Sequence, residues 1–377
     1  MKVVPSFVLS FSGGLFALAA SLSPVSAQAE ALTNVFYLGD SYLDDGNYKA
    51  LTHLATDTYA PPWSTVVNLA LGLPTVGRWT PSGGRTPFGN NYAVAGAGIN
   101  ISPTPTSTSL HGQVAKLLED YPSGLPSHSL VVIGIGTNDV RAVVGFGGIW
   151  STSALGWKLG TTGFTVPAVG GTVTVPVTGT VGMSAGPMNL VVFPTSSAQV
   201  IMAITAVNPK ENQITLTNKL GAPGANIGPN SVLEVCGKWF LDQELPILAS
   251  DIKLVAAHHG QMILVLLPPT DILPEYNKKP VQALAHETWK YLYDKMSSLA
   301  APDPERIRTF DLKPVFQEVY SDPGHYGFKF SYPCWIGSGS ADPNEYMFWD
   351  LDHPTGPMYR LIAQRFLKLL HGQYLTE

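Results

Sequence analysis

Three residues have the types that nucleophilic catalysis needs, and two of them lie close together in the sequence. Ser41 follows an apolar run that stops at Gly39, and its hydroxyl would be a weak nucleophile until a base removes its proton. His353 is the most suggestive of the nine histidines for that role, since Asp350 precedes it by three residues and one tight loop can present both side chains. Such a carboxylate would fix the imidazole tautomer and stabilise the imidazolium, so the three residues predict a serine–histidine–aspartate arrangement.

This chemistry, acyl transfer, also needs hydrogen-bond donors for the oxyanion of the tetrahedral intermediate. The side-chain amide of Asn138 follows one apolar run, and the backbone N–H of Gly96 has no side chain to block its approach to a substrate. Gly98 is an alternative to Gly96, and the backbone N–H of Ser41 would be a third donor. Each is by itself a typical turn residue, but their order and context predict an oxyanion hole.

Short apolar runs that end at Gly or Pro predict strands that are buried on both faces, as in a parallel sheet. They cover residues 35–38, 130–133 and 262–267, and residues 307–310 (IRTF), which Asp311 follows, are a less apolar fourth candidate. Amphipathic helical patterns alternate with them, and the last one contains Met358, Leu361, Ile362, Phe366 and Leu369 at helical spacing. The alternation predicts a doubly wound α/β domain with three α/β/α layers. Ser41 would then lie beyond the carboxyl end of a strand, where open sheets of this kind bind ligands.

One segment breaks this alternation. Residues 159–209 contain no Asp, Glu, Lys or Arg and are rich in Gly, Thr, Val and Pro. Alternating runs such as 200–205 and 213–217 predict an inserted all-β segment over residues 155–236. A long flexible lid is the alternative, because Gly and Pro also suit a mobile loop. The α/β domain would then comprise residues 30–154 and 237–377.

The first 29 residues have the pattern of a signal peptide. Lys2 provides a positive start, residues 7–20 form an apolar stretch, and small residues precede cleavage positions near Ala27 or Ala29. The stretch is shorter than the about 20 residues of a membrane-spanning helix, and Ser and Gly interrupt it. The sequence therefore predicts an exported protein, either secreted or periplasmic.

The composition narrows the class of protein further. The chain has 377 residues, of which 22 are basic, 27 are acidic and 45% are hydrophobic. This apolar fraction can fill an ordinary core, and the low charged fraction does not suit a disordered chain. A net charge of −5 without runs of Lys or Arg argues against nucleic acid as a partner, because binding to phosphates needs a basic patch.

Cys236 and Cys334 are the two cysteines of the chain. In an exported protein an even pair favours a disulfide bond, and the alternative is two buried thiols. The bond would stabilise the fold by about 4–5 kcal/mol in the chain-entropy model, because the loop that it closes is long. Cysteines this far apart do not suggest a zinc site.

Two other polar pairs are interpreted as structural. His258 and His259 close a helical pattern, where positive charge is favourable to the helix dipole, so they are expected to cap the helix. Asp44 and Asp45 follow the candidate nucleophile and are expected to cap or brace the first helix. Neither pair is assigned to catalysis.

Four blocks of the sequence, taken in order, resemble those of the GDSL or SGNH hydrolases. They are residues 38–47 (LGDSYLDDGN), 91–96 (NYAVAG), 136–139 (GTND) and 350–353 (DLDH). The first and last blocks are most similar to the branch that contains plant GDSL lipases and bacterial secreted esterases and lysophospholipases. One departure is Tyr42, which stands where the family name has Leu; a side chain in this position is not expected to touch the reacting atoms.

The resemblance implies a role for each matching residue. Ser41 would be the nucleophile and the first oxyanion donor, and Gly96 and Asn138 would complete the hole. His353 would be the general base and Asp350 its orienting carboxylate, with the adjacent Asp352 as the alternative. The family pattern favours Gly96 over Gly98 and Asp350 over Asp352.

The resemblance also implies an exported serine ester hydrolase that works through an acyl-enzyme without metal or organic cofactor. The expected substrates are lipid-like or short-chain acyl esters, with possible peripheral contact to membrane lipid. A carbohydrate O-acetylesterase or acyltransferase, in which the β insertion binds sugar, is the alternative. A non-catalytic protein that binds polysaccharide or membrane is a further alternative, but such a protein would not need all four blocks.

Overall fold

The fold is known from a computed structural model of the chain. It describes residues 32–45, 61–74, 89–101, 108–144, 158–180, 183, 185–186, 189–193, 200–218, 222–258, 260–276, 281–334 and 342–371. The signal peptide predicted for residues 1–29 lies outside these ranges. Within them, no helix combines the length and the apolar character that crossing a membrane requires.

The strands and helices of the described residues are numbered separately in chain order. The strands are β1 (Asn34–Gly39), β2 (Ser129–Gly134), β3 (Phe164–Thr165), β4 (Thr172–Pro176), β5 (Asn189–Phe193), β6 (Val200–Asn208), β7 (Gln213–Asn218), β8 (Asn226–Ile227), β9 (Glu234–Gly237), β10 (Gln261–Leu266), β11 (Ile307–Asp311), β12 (Phe330–Pro333) and β13 (Tyr346–Phe348). The helices are α1 (Trp63–Ala70), α2 (Leu110–Asp120), α3 (Thr137–Val144), α4 (Lys238–Ala257), α5 (Val281–Ala300), α6 (Leu312–Ser321) and α7 (Gly356–His371).

The central sheet is parallel and has the strand order β1-β2-β10-β11. These are the four apolar runs that predict strands, and β2 is buried along its whole length. The chain at Asn91 adds one parallel bridge to β1 at Tyr37. A side chain is excluded at Gly39, since a Cβ atom there would lie 1.8 Å from the carbonyl oxygen of Gly134. The carboxyl ends of β1 and β2 are therefore in close contact.

The helices form two groups, each packed within itself. In one group α1 and α6 pack against α7. In the other, α2 and α3 pack against α4, and both α3 and α4 pack against α5. The prediction of a mixed α/β fold with a parallel central sheet is confirmed.

Residues 158–237, where they are described, form strands and no helix. Five strands make an antiparallel sheet in the order β4-β7-β6-β5-β9, and β3 pairs with β8. Ile214 and Leu216 of β7 lie in an apolar core separate from that of the parallel sheet, while Thr215 and Thr217 alternate with them on the outer face. This regular structure agrees with the predicted β segment; its division at residues 155 and 236 and its role, lid or accessory domain, stay predictions.

The two cysteines are not shown to be joined. Cys334 is buried directly after β12, and the backbone of Cys236 lies in β9, but its side chain is outside the described part of the structure. No disulfide bond occurs among the described side chains. The Cys236–Cys334 disulfide therefore stays a prediction.

Candidate active site

Ser41 lies in a tight turn directly after β1, at the carboxyl end of the central sheet. The backbone N–H of Asp44 donates to the carbonyl of Asp40 at 3.1 Å, which closes the turn. The Asp40 carboxylate accepts the backbone N–H of Tyr42, also at 3.1 Å. Ser41 is 7% exposed, so the turn presents a nearly buried hydroxyl at the edge of the sheet.

The structure brings Ser41, His353 and Asp350 together in a chain of hydrogen bonds. His353 Nε2 lies 2.8 Å from Ser41 Oγ. On the other side of the ring, His353 Nδ1 lies 2.9 Å and 2.8 Å from the two carboxylate oxygens of Asp350. In this geometry Nδ1 carries the proton that Asp350 accepts, and Nε2 is left as a base facing the serine hydroxyl.

The loop between β13 and α7 gives His353 its position. Asp350 Oδ1 accepts the backbone N–H of His353 at 2.8 Å and that of Asp352 at 3.1 Å, so one carboxylate both folds the loop and orients the ring. The Tyr42 hydroxyl donates to the carbonyl of Asp352 at 2.6 Å. Tyr42 is therefore more than a neutral replacement for Leu, because it ties the serine turn to the histidine loop.

Gly96 lies on a loop that a hydrogen bond joins to Asn138 in the first turn of α3. The Asn138 side chain, at the start of α3, donates to the carbonyl of Ala97 at 2.9 Å through Nδ2. Because Nδ2 has two hydrogens, the second remains for another acceptor. Gly96 has a φ of 82°, a left-handed conformation that glycine adopts without strain.

Gly98 has a different part in this loop. Its N–H donates to the carbonyl of Ile101 at 3.0 Å and is therefore already used. A Cβ atom at Gly98 would lie 3.0 Å from the Asp139 carboxylate, which accepts the N–H of Ile99 at 3.1 Å. The geometry thus explains Gly98 by close packing and leaves Gly96 as the candidate oxyanion donor.

Of the two pairs interpreted as structural, three residues lie in the described part of the structure. His258 Nδ1 is 2.9 Å from the carbonyl of Leu254 in the last turn of α4, as expected of a capping residue, and His259 is outside the described residues. The carboxylate of Asp44 accepts the N–H of Ala95 at 2.7 Å and so braces the loop of Gly96. The helix that Asp44 and Asp45 are expected to cap or brace would lie after Asp45, outside the described residues, so that expectation stays a prediction.

Burial and charge set the protonation of the acidic groups around Ser41. Desolvation raises the pKa of Asp40 to about 7, and it raises that of Asp139 to about 7 as well. For His353, burial alone would lower the pKa, but Asp352 and Asp350 outweigh burial and raise it well above its ordinary value. The carboxylates therefore strengthen the histidine as a base.

The sequence analysis misses Arg141 and Glu275, which meet the histidine loop. Arg141, one turn after Asn138 in α3, donates through Nη2 to Asp352 Oδ2 at 2.6 Å. It also donates to both oxygens of Glu275, at 2.9 Å from Nε and 2.8 Å from Nη2. No sequence motif links these residues, because they are brought together only by the fold.

Asp350, Asp352 and His353 are also close enough together to be considered for a metal ion. Their contacts favour another interpretation. The histidine Nδ1, the nitrogen that faces both carboxylates, lies within hydrogen-bond distance of them, and Nε2 faces Ser41. The described cluster is thus accounted for as a base with its orienting carboxylates.

The similarity of this chain to known proteins lies in its three-dimensional structure. No protein-family model matches the chain, and no curated protein matches it. It is similar to a solved lipolytic protein of the G-D-S-L family from Veillonella parvula DSM 2008, with 11% identity, a TM-score of 0.35 and coverage of 89% of this chain and 97% of that one.

Two further solved structures are similar at the same level. A GDSL-like lipase from Bacteroides thetaiotaomicron VPI-5482 has 12% identity, a TM-score of 0.35 and coverage of 90% of this chain and 88% of that one. An acetylxylan esterase from Geobacillus stearothermophilus has 13% identity, a TM-score of 0.42 and coverage of 93% of this chain and 99% of that one. At this level of similarity, the function has to be inferred from the site itself.

Proposed function

We propose that this protein is an exported serine hydrolase of carboxylic esters, of the GDSL or SGNH type. The observation that carries the proposal is the hydrogen-bonded chain from Ser41 through His353 to Asp350, with distances of 2.8 Å on both sides of the imidazole ring. Gly96, on the loop that bonds to Asn138, and Asn138, in the first turn of α3, supply donors of the kind that an oxyanion needs. Export is proposed from the signal-peptide pattern of residues 1–29.

The geometry supports a two-step reaction. Ser41 Oγ forms a bond to the acyl carbon while its proton passes to His353 Nε2, and the carbonyl oxygen becomes the oxyanion. The ester C–O bond then breaks, and the leaving alcohol takes the proton from His353. Water attacks the acyl-enzyme with His353 again as base, which releases the acid and restores the serine.

Asn138→Ala is expected to lower kcat for p-nitrophenyl acetate by about 10²–10³, the loss typical of one oxyanion donor. KM should change little, since the negative charge that Asn138 would stabilise develops only in the transition state. Steady-state kinetics checks this. Asn344→Ala, which removes an exposed amide paired with Asp342, is the matched control. A loss of only twofold in Asn138→Ala would remove this residue from the oxyanion hole.

The acyl group is proposed to be short. Val169 and Val232 are exposed, but most apolar side chains in the described part of the β insertion pack in a core of its own, as Val191, Met202 and Leu216 do. They are therefore used in packing and do not form a wall for a long acyl chain. This argues for short-chain esters over the lipid-like esters that the apolar composition of the segment first suggests.

One observation favours carbohydrate O-acetyl esters as a second candidate substrate. The outer face of the insertion sheet carries hydroxyls, with Thr174 Oγ1 3.0 Å from Thr215 Oγ1 and Thr205 paired to Thr217 at 3.3 Å. An uncharged face of hydroxyl groups suits a polyhydroxylated ligand. Transfer of the acyl group to a sugar alcohol in place of water would use the same catalytic residues.

Hydrolysis of p-nitrophenyl esters from acetate to palmitate tests the proposal. We expect turnover to be highest for the acetate or butyrate and to fall steeply with longer chains. A maximum at long chains would overturn the short-chain proposal and assign an acyl wall to the protein. Absence of turnover on these esters and on acetylated xylo-oligosaccharides would overturn the ester hydrolase itself.

A further inference from the structure

The catalytic histidine has a second carboxylate beside it, in addition to the one that the sequence indicates. We infer that Asp352, held by Arg141, is a second orienting carboxylate of His353 and shares the stabilisation of its imidazolium with Asp350. The inference rests on the proposed function, because it concerns the histidine that takes the serine proton. Asp352 is thus proposed as a positioning residue that acts through His353.

The distances around the ring are the first observation. Asp352 Oδ1 lies 3.1 Å from His353 Nδ1, against 2.8 Å and 2.9 Å for the two oxygens of Asp350. Nδ1 thus forms its hydrogen bonds with Asp350, while Asp352 lies at ion-pair distance from the same nitrogen and adds a second negative charge beside it. Asp350 is the nearer partner and remains the principal one.

Burial is the second observation, because a buried carboxylate needs partners to stay ionised. Asp352 is 5% exposed, and its other oxygen, Oδ2, accepts from Arg141 at 2.6 Å. Burial by itself would raise the pKa of Asp352, but His353 and Arg141 reverse this and hold it below its usual range. Asp352 therefore keeps its negative charge next to the histidine.

Arg141 is itself fixed from a second side. Its guanidinium group donates to both oxygens of Glu275, which is 8% exposed. Charge-assisted pairs of this geometry are strong and directional. The backbone N–H of Glu275 donates to the carbonyl of Leu351, within the histidine loop, at 2.8 Å. The network thus joins the helix that begins beside Asn138 to the loop of His353, and it holds Asp352 in one place.

The charges that face His353 determine the direction of the expected pH effect. They come from its own loop, from the serine turn, from α3 and from the segment after β10, and they belong to Asp350, Asp352, Asp40, Arg141 and Glu275. The phenol of Tyr42 also packs on the ring. Removal of one of the two nearest negative charges lowers the pKa of His353, and since the base must be neutral in the free enzyme, the acidic limb of kcat/KM moves to lower pH.

The test compares Asp350→Asn, Asp352→Asn and the double variant in kinetics on p-nitrophenyl acetate over pH. Asp352→Asn should move the acidic limb to lower pH. Asp350→Asn should lower kcat by about 10², because Asp352 still orients the ring, and the double variant by about 10⁴. Glu318→Gln, which breaks the exposed pair with Arg365, is the matched control and should leave the pH profile unchanged.

An unmoved acidic limb in Asp352→Asn, with a double variant no worse than Asp350→Asn, would overturn the inference. If Asp352→Asn does not fold, Arg141→Lys takes its place. Lysine keeps the positive charge but cannot form the paired hydrogen bonds of the guanidinium group. Arg141→Lys should therefore lower the residual activity of Asp350→Asn by a larger factor than it lowers the activity of the wild type. Equal losses of activity in the two proteins would overturn the inference. Ser41→Ala distinguishes a failure of this inference from a failure of the proposed function. Wild-type turnover in Ser41→Ala would show that the proposed function, and with it the inference, is wrong.

Discussion

Ser41→Ala is expected to lower kcat for p-nitrophenyl acetate by about 10⁶. The activity that remains would be only the rate enhancement that the oxyanion hole and substrate binding provide. The reason is that the Ser41 hydroxyl is the group that would bond to the acyl carbon, and no neighbouring group can replace it. The side chain is small and lies in a turn closed by backbone hydrogen bonds, so the thermal unfolding midpoint should stay nearly unchanged. Burst and steady-state kinetics, with circular dichroism for the fold, check both parts.

The matched control for this change is Ser298→Ala. The hydroxyl of Ser298 donates to the carbonyl of Lys295 on the exposed surface of α5, so its removal should leave turnover at the wild-type level. If Ser41→Ala keeps more than about a tenth of the wild-type kcat, Ser41 is not the nucleophile, because loss of the nucleophile lowers kcat far more than this.

His353→Ala is expected to lower kcat by a similar factor of about 10⁶, because the serine proton then has no acceptor. Residues that act as one unit are not additive, so Ser41→Ala with His353→Ala should be no slower than either single variant. Single-turnover kinetics of the three proteins measures this.

The pH profile of the wild type gives a further test of His353. Because the pKa of His353 is raised, the acidic limb of kcat/KM should lie at a higher pH than the ordinary pKa of histidine.

His111 provides the control for the histidine. Its Nδ1 lies 2.9 Å from Asp251, in a similar pair with a carboxylate, but the ring is half-exposed and this contact joins α2 to α4 without involving Ser41. His111→Ala should therefore keep full turnover.

If the double variant of Ser41 and His353 loses activity by the product of the two single losses, the two residues do not act in one proton transfer.

Much of the candidate site can be predicted from the sequence because its residues follow strand ends or share one loop. Ser41 and Asn138 come after two strands that are adjacent in the parallel sheet, and the register pairs Gly39 with Gly134. Asp350 and His353 lie within four residues of each other, so local loop geometry is enough to place them together. The apolar runs of β1, β2 and β10 predict strands because burial on both faces leaves a continuous apolar run. The fourth strand, β11, contains Arg308 and Thr309 and is only partly buried.

The rest depends on contacts between distant parts of the chain. Arg141 meets Glu275 and Asp352 across separations of 134 and 211 residues, and no spacing rule connects them. The bond from Tyr42 to the carbonyl of Asp352 spans 310 residues and appears only once the serine turn and the histidine loop are in place. Strand alternation predicts an all-β insertion, but its strand order depends on pairing that local pattern does not specify.

Covalent labelling with a fluorophosphonate tests the central claim most directly. Ser41 Oγ should displace fluoride and form one bond to phosphorus, and peptide mass spectrometry should find a single label per chain on the peptide that contains Ser41. The His353→Ala protein should react far more slowly, since its serine hydroxyl is not activated. A label on another residue, or an enzyme that still hydrolyses esters after Ser41 is fully labelled, would contradict the account.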